Sequence, residues 1–136
     1  MMTSTKISNV LLSAKFQKRC YRGAIALFLL IVIIGSVPGA RHDVAQYASG
    51  AVLHSAAYAV LGLLIFLGSS GNGSGRAVKA VLSVAVMGAV DEGVQSFFPY
   101  RTAALSDWMV DVAAAGIVSG VLREFWARLS SAAIAD

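Results

Sequence analysis

Residues 77–98 read AVKAVLSVAVMGAVDEGVQSFF. The run is mostly valine, alanine and leucine, and a helix of about 20 such residues crosses the hydrocarbon core of a bilayer. Its last turns nevertheless hold Asp91, Glu92 and Gln95. An aspartate at the centre of a membrane helix costs roughly 2.5–3.5 kcal/mol, less toward an end, while Val, Leu and Phe each return about 0.3–0.6 kcal/mol. Nine Val, Leu and Phe residues set against two acids nearly cancel. The segment is therefore marginal as a lone span. Neighbouring helices must hold it, with the acids turned inward and paired or neutralised.

Three more segments have the same character: about 20–37 (CYRGAIALFLLIVIIGSV), about 48–68 (ASGAVLHSAAYAVLGLLIFLG) and about 103–122 (AALSDWMVDVAAAGIVSGVL). The whole chain is 57% hydrophobic and only 13% charged over 136 residues, against about a quarter charged in soluble domains. In lipid at this length, only helices satisfy the backbone. The expectation is an all-α, polytopic transmembrane four-helix bundle. Pro38 and Gly39, the Gly/Ser stretch 68–76 and the PYRTA turn at 99–103 separate the spans. Pro38 makes SVPGA a poor cleavage site, so the first span reads as a helix and not as a signal peptide. The NGS sequon at 72–74 falls on the expected inner side and is discounted. One cysteine, Cys20, excludes an internal disulfide, and two histidines without a cysteine cluster argue against a zinc site of the usual kind.

Charge orients the bundle. Lys6, Lys15, Lys18, Arg19 and Arg22 precede the first span, Arg76 and Lys79 sit around the second connection, and Arg123 and Arg128 follow the fourth span. That is nine of eleven basic residues, leaving Arg41 and Arg101 on the other side. The positive-inside rule then puts both termini of this multi-pass chain in the cytoplasm. Residues 1–19 form a basic cytoplasmic arm, 20–128 the transmembrane domain and 129–136 a cytoplasmic tail. The basic run is a topology signal with some pull toward anionic lipid, and no nucleic-acid role is assigned to it.

In this orientation the polar residues meet at one depth. His54 and Tyr58 share a face at the outer start of the second span. Asp91, Glu92 and Gln95 fall on one arc at the outer end of the third, with Gly88 on the same arc allowing close helix approach. Asp107 and Asp111 share a face at the outer start of the fourth. Arg101 lies in the connection between them. An ion pathway would need polar groups in the inner half as well, where only Ser83 and Ser119 are available.

The order His54-x-x-x-Tyr58, then Asp91-Glu92-x-x-Gln95, then Pro99-x-Arg101, then Asp107 and Asp111, resembles the VanZ-like family of small bacterial membrane proteins. The resemblance covers about 50–122. Gly50 and Ala51 stand where family members often carry Asp-Lys, and the glycines after the second acid are out of register. The resemblance implies a cell-envelope role linked to resistance to the glycopeptide teicoplanin. It brings no settled reaction.

Three classes of function follow. In the first, a site open to the outer leaflet binds or modifies an amphiphilic envelope substrate, such as a membrane lipid or lipid-linked precursor. Glu92 or Asp91 with His54 supplies acid/base chemistry, and Arg101 grips an anionic head. Gln95 and Tyr58 line the site, and Asp107 and Asp111 orient partners or bind a divalent cation such as Mg²⁺ or Ca²⁺. In the second, the same site sequesters a ligand without chemistry. In the third, the polar residues are interhelical glue and the small residues Gly116 and Gly120 (GIVSG) pack a neighbour or a second copy.

Overall fold

The computed structural model describes residues 10–40, 48–101 and 103–134, with side chains through residue 128. Residues 1–9 of the basic arm with Lys6, the part of the first connection that holds Arg41, and the last two residues of the tail lie outside the described residues. All regular structure among the described residues is helical, as the apolar runs require. It is organised as four long helices: α1 (Ala14–Gly35), α2 (Gly50–Gly68), α3 (Gly73–Gln95) and α4 (Leu105–Ile134).

Capping side chains set three of the starts. Ser13, Ser49 and Asn72 accept hydrogen bonds from the backbone N–H of Phe16, Val52 and Gly75, at 3.3, 3.4 and 2.8 Å. Such caps satisfy N–H groups that have no partner inside the helix. The Ser13 cap starts α1 ahead of its apolar run, so that Lys15, Lys18 and Arg19 are already helical. Asn72 starts α3 inside the Gly/Ser stretch read as a turn, which leaves only residues 69–72 as the connection. Glycine favours helix poorly. Here the cap prevails together with close packing, because a Cβ at Gly73 would lie 3.2 Å from the backbone carbonyl of Arg123 in α4. Helix α4 outruns its apolar segment, since the residues after Leu122 are mostly good helix formers.

Successive helices run antiparallel. At one end, Tyr21 and Gln17 of α1 meet Gly68 of α2, and Gly73 of α3 meets Arg123 and Trp126 of α4. At the other, Gly35 of α1 faces Asp91 and Gln95 of α3, while His54 of α2 meets Asp107 and Asp111 of α4. Helix α4 packs broadly on both α2 and α3, and α1 rests on α2 and only lightly on α3. That light contact leaves a cleft between α1 and α3 at the second end.

Apolar side chains cover the outside of the bundle as well as filling its core. Val78, Leu82, Val86 and Val90 form one outward stripe along α3, and Val86 is 65% exposed. The inward face of the same helix carries Arg76, Ala80, Val84, Gly88, Asp91 and Gln95. Helix α1 likewise turns Ile25, Leu29, Ile33 and Ile34 outward. The shared core is made of Ala24, Tyr58, Leu61, Ile65, Phe66, Ala80, Val84, Ala115 and Trp126. Small residues at the crossings draw the backbones together. The tightest is Gly68, where a Cβ would meet Tyr21 N at 2.9 Å and Gln17 O at 3.1 Å.

Among the described residues, two helical segments, Gly50–Gly68 and Leu105–Arg128, are long and apolar enough to cross a membrane. Helices α1 and α3, also expected as spans, do not meet that test. Helix α1 includes Lys15, Lys18, Arg19 and Arg22, and α3 includes Arg76, Lys79, Asp91 and Glu92.

Arg76 and Lys79 do more than decorate a connection. Arg76 is 1% exposed. Its Nε donates to Gly71 O at 2.8 Å and its Nη1 to Phe66 O at 3.3 Å, and the guanidinium lies 3.9 Å over the Trp126 ring. It thus adds a charged donor to a carbonyl at the end of α2 that the Ser69 cap N–H also reaches, and stacks α4 against the same point. Lys79 Nζ donates to Ser70 O at 3.0 Å.

Candidate functional site

The polar groups of α2, α3 and α4 gather at the end of the bundle opposite Arg76. His54 occupies the first turns of α2, and its ring stacks on that of Tyr58 with centroids 5.9 Å apart. Its Nδ1 is hydrogen-bonded to Asp111 Oδ1 at 2.9 Å, and its Nε2 lies 3.7 Å from Asp107 Oδ2. The one-turn spacing of the two aspartates on α4 thus delivers one carboxylate to each ring nitrogen. Asp111 is 0% exposed and Asp107 only half-buried, so the inner carboxylate fixes the ring while the outer one meets the more open nitrogen.

On α3, Asp91 Oδ2 accepts from the Tyr58 hydroxyl at 3.0 Å. Glu92 points toward the α3–α4 turn, where its Oε2 accepts from the Ala104 N–H at 2.7 Å. That bond fastens the start of α4 to the end of α3 and sets the height of Asp107 and Asp111. Gly88 makes room for them, since a Cβ there would lie 3.1 Å from both Asp111 Oδ2 and Trp108 Cδ1. Trp108 Nε1 donates to Ala85 O at 2.9 Å and braces the same crossing. Tyr100 donates to Ser36 O at 2.6 Å, tying the turn to the end of α1.

Arg101 and Gln95 face the cleft between α1 and α3. With Asp91, Tyr58 and His54 they line a cavity of about 340 Å³, whose remaining wall is apolar and comes largely from Leu27, Leu30, Ile31 and Ile34 of α1. Sequence reasoning gave α1 no part in the site because it delivers nothing ionisable there. Its contribution is the apolar wall and Gly35, whose missing side chain leaves space in front of Arg101, Asp91 and Gln95.

Two chemical capacities follow. An imidazole held by a buried carboxylate at Nδ1, with Asp107 at Nε2 and Glu92 close by, is built to pass a proton or to hold a polar group. The same neighbourhood suits a divalent cation, because His54, Glu92 and Asp107 each offer one ligand atom and these lie within 4.8 Å of one another. In that set Asp107 is grouped with His54 and Glu92, and Asp111 stands behind the imidazole, where a carboxylate orients a metal-binding ring. Several buried polar atoms have no hydrogen-bond partner: Asp91 Oδ1, Glu92 Oε1, Gln95 Oε1, Arg101 Nε and Asp111 Oδ2. Buried polar atoms are nearly always satisfied, so these unpaired ones are places where a water, an ion or a ligand group can bind.

No family model, curated protein or solved structure matches this chain. The functional reading therefore rests on residues and geometry.

Proposed function

We propose that the chain is a VanZ-like, multi-pass protein of the bacterial cytoplasmic membrane, with both termini in the cytoplasm. Its polar end lies beneath the outer leaflet and binds or modifies an amphiphilic envelope substrate. The observation that carries this reading is the apolar exterior: aliphatic stripes face outward while a carboxylate, an imidazole and a guanidinium turn inward to line a cavity. An exposed apolar surface of that extent in water drives aggregation, and in lipid it is the expected exterior. Intramembrane ionisable residues that face a cavity are functional by default, since their burial is expensive.

The charge distribution supports the orientation. Among the described residues Lys15, Lys18, Arg19, Arg22, Arg76, Lys79, Arg123 and Arg128 belong to the end opposite the cavity, and Arg101 to the cavity end. Within the site, Arg101 binds an anionic group of the substrate. His54, backed by Asp111, exchanges a proton with Glu92 or Asp91. The VanZ-like pattern of residues supplies the readout, teicoplanin susceptibility of a host expressing the chain. Glu92→Gln is expected to abolish the phenotype while the protein still inserts at wild-type level. Survival of the phenotype in that variant overturns the acid/base role.

A second reading, a structural or assembly role, is favoured by one observation. Gly116 and Gly120 have no atom within 4 Å of an added Cβ, and Ile117 beside them is fully outward. That face of α4 is open for a second copy. Under this reading Gly116→Leu damages the phenotype more than Glu92→Gln does.

A further inference from the structure

The cavity between α1, α2 and α3 has a chemically specific floor. Asp91 is 1% exposed and Gln95 2% exposed. Asp91 Oδ1, Gln95 Oε1 and Arg101 Nε have no partner, and all three residues line the cavity. The other carboxylate oxygen of Asp91 is already engaged by Tyr58. The Gln95 amide turns its Nε2 toward the space at Gly35, so the floor offers one carboxylate acceptor, Asp91 Oδ1, beside the cationic donor Arg101.

These groups look into one space without touching across it. A Cβ built on Gly35 would lie 3.4 Å from Arg101 Nη2, 3.8 Å from Asp91 Oδ1 and 3.9 Å from Gln95 Nε2. Yet no ion pair joins Arg101 to Asp91 among the described residues. A simple anion seated on Arg101 would face the Asp91 carboxylate, and a simple cation on Asp91 would face the guanidinium. A dipolar head resolves the conflict. A primary ammonium donates to Asp91 Oδ1, and a phosphate oxygen a few bonds away accepts from Arg101. Above this floor, Leu27, Leu30, Ile31 and Ile34 form an aliphatic wall, and Leu30 and Ile34 also reach the outer surface of the bundle. An acyl chain can lie along that wall and leave sideways between α1 and α3.

We propose that this cavity binds a zwitterionic amphiphile whose head carries a primary ammonium and a phosphate diester. The proposal rests on the reading that the polar end handles an amphiphilic envelope substrate, and it names the class of head group. A phospholipid and a free zwitterion share this chemistry, and the acyl wall favours the phospholipid.

Native mass spectrometry of the purified full chain tests it, with equal amounts of phosphatidylethanolamine, phosphatidylcholine and phosphatidylglycerol of the same acyl chains. Phosphatidylcholine keeps the charge but has no N–H donor, and phosphatidylglycerol has no ammonium. The expected result is retention of phosphatidylethanolamine at least tenfold above the other two. Equal retention of all three, or preference for phosphatidylglycerol, overturns the proposal. So does displacement of the lipid by free glycerophosphoethanolamine, the same diester head without acyl chains, at comparable concentration, since the acyl wall would then contribute nothing. This comparison needs only the wild-type chain. Two variants add to it. Asp91→Asn is expected to lower phosphatidylethanolamine retention about tenfold, and Gly35→Leu to block all three lipids by filling the space. Retention unchanged in both overturns the assignment to this cavity. Glu92 does not line the cavity, so its variant separates the two readings. Loss of phenotype in Glu92→Gln without any head-group preference sinks the lipid class alone. Preference with a harmless Glu92→Gln sinks the acid/base role alone.

Discussion

At the scale of single residues, the site depends on what is absent at Gly88 as much as on what is present at His54. Gly88→Ala places a methyl group 3.1 Å from Asp111 Oδ2. Overpacking of this kind typically costs about 1–3 kcal/mol, so the variant is expected to unfold at lower temperature in detergent and to loosen the His54–Asp111 pair. An unchanged melting temperature would show that the α3–α4 crossing is not tight there. Arg76 gives a second test. Arg76→Ala removes a charged donor from carbonyls at the end of α2 and is expected to cost about 3 kcal/mol or more. Arg76→Lys recovers little, because a point-like ammonium cannot both fork to carbonyls and stack on Trp126. The polar residues of the cluster were legible in the sequence because helical spacing fixes which side chains share a face. The role of Arg76 was not. Its position among the basic residues reads as a topology signal, and nothing local pairs it with Trp126, which lies on another helix.

At the scale of the elements, the apolar runs reveal where helices lie but not where they begin. Ser13 and Asn72 are cap residues that carry α1 and α3 beyond their apolar runs, and glycine propensity at 73–75 gives way to a cap and to contact with α4. The wall supplied by α1 was likewise out of reach, because an aliphatic run shows no preference for one neighbour over another until the crossing at Gly68 seats it on α2. Gly68→Leu is expected to push α1 off α2, since the space around that Cα is bounded by backbone and not by a flexible side chain. The measurable consequences are a lower melting temperature and loss of lipid retention while the His54–Asp111 end of α2 and α4 keeps its fold. On the outer face of α4, Gly116→Leu meets open space. It is expected to leave the unfolding free energy of the monomer within about 0.5 kcal/mol of wild type, and a large loss there would mean that the face is covered.

At the scale of the molecule, the four helices divide their charge by end. Among the described residues, basic side chains gather where α2 meets α3, and four of the five acids, Asp91, Glu92, Asp107 and Asp111, gather with His54 and Arg101 where α3 meets α4, while Glu124 pairs with Arg123 at the basic end. The apolar exterior lies between them. The central claim is that the acidic end sits beneath the non-cytoplasmic surface. Cysteine labelling with a membrane-impermeant maleimide in intact cells addresses it, because the single native cysteine, Cys20, is buried and gives a low background. Phe97 is 86% exposed at the acidic end, and Arg128 is exposed at the basic end. The expected result is that Phe97→Cys reacts from outside intact cells, while Arg128→Cys reacts only after the membrane is opened. Labelling of residue 128 from outside, with residue 97 protected until lysis, would contradict it.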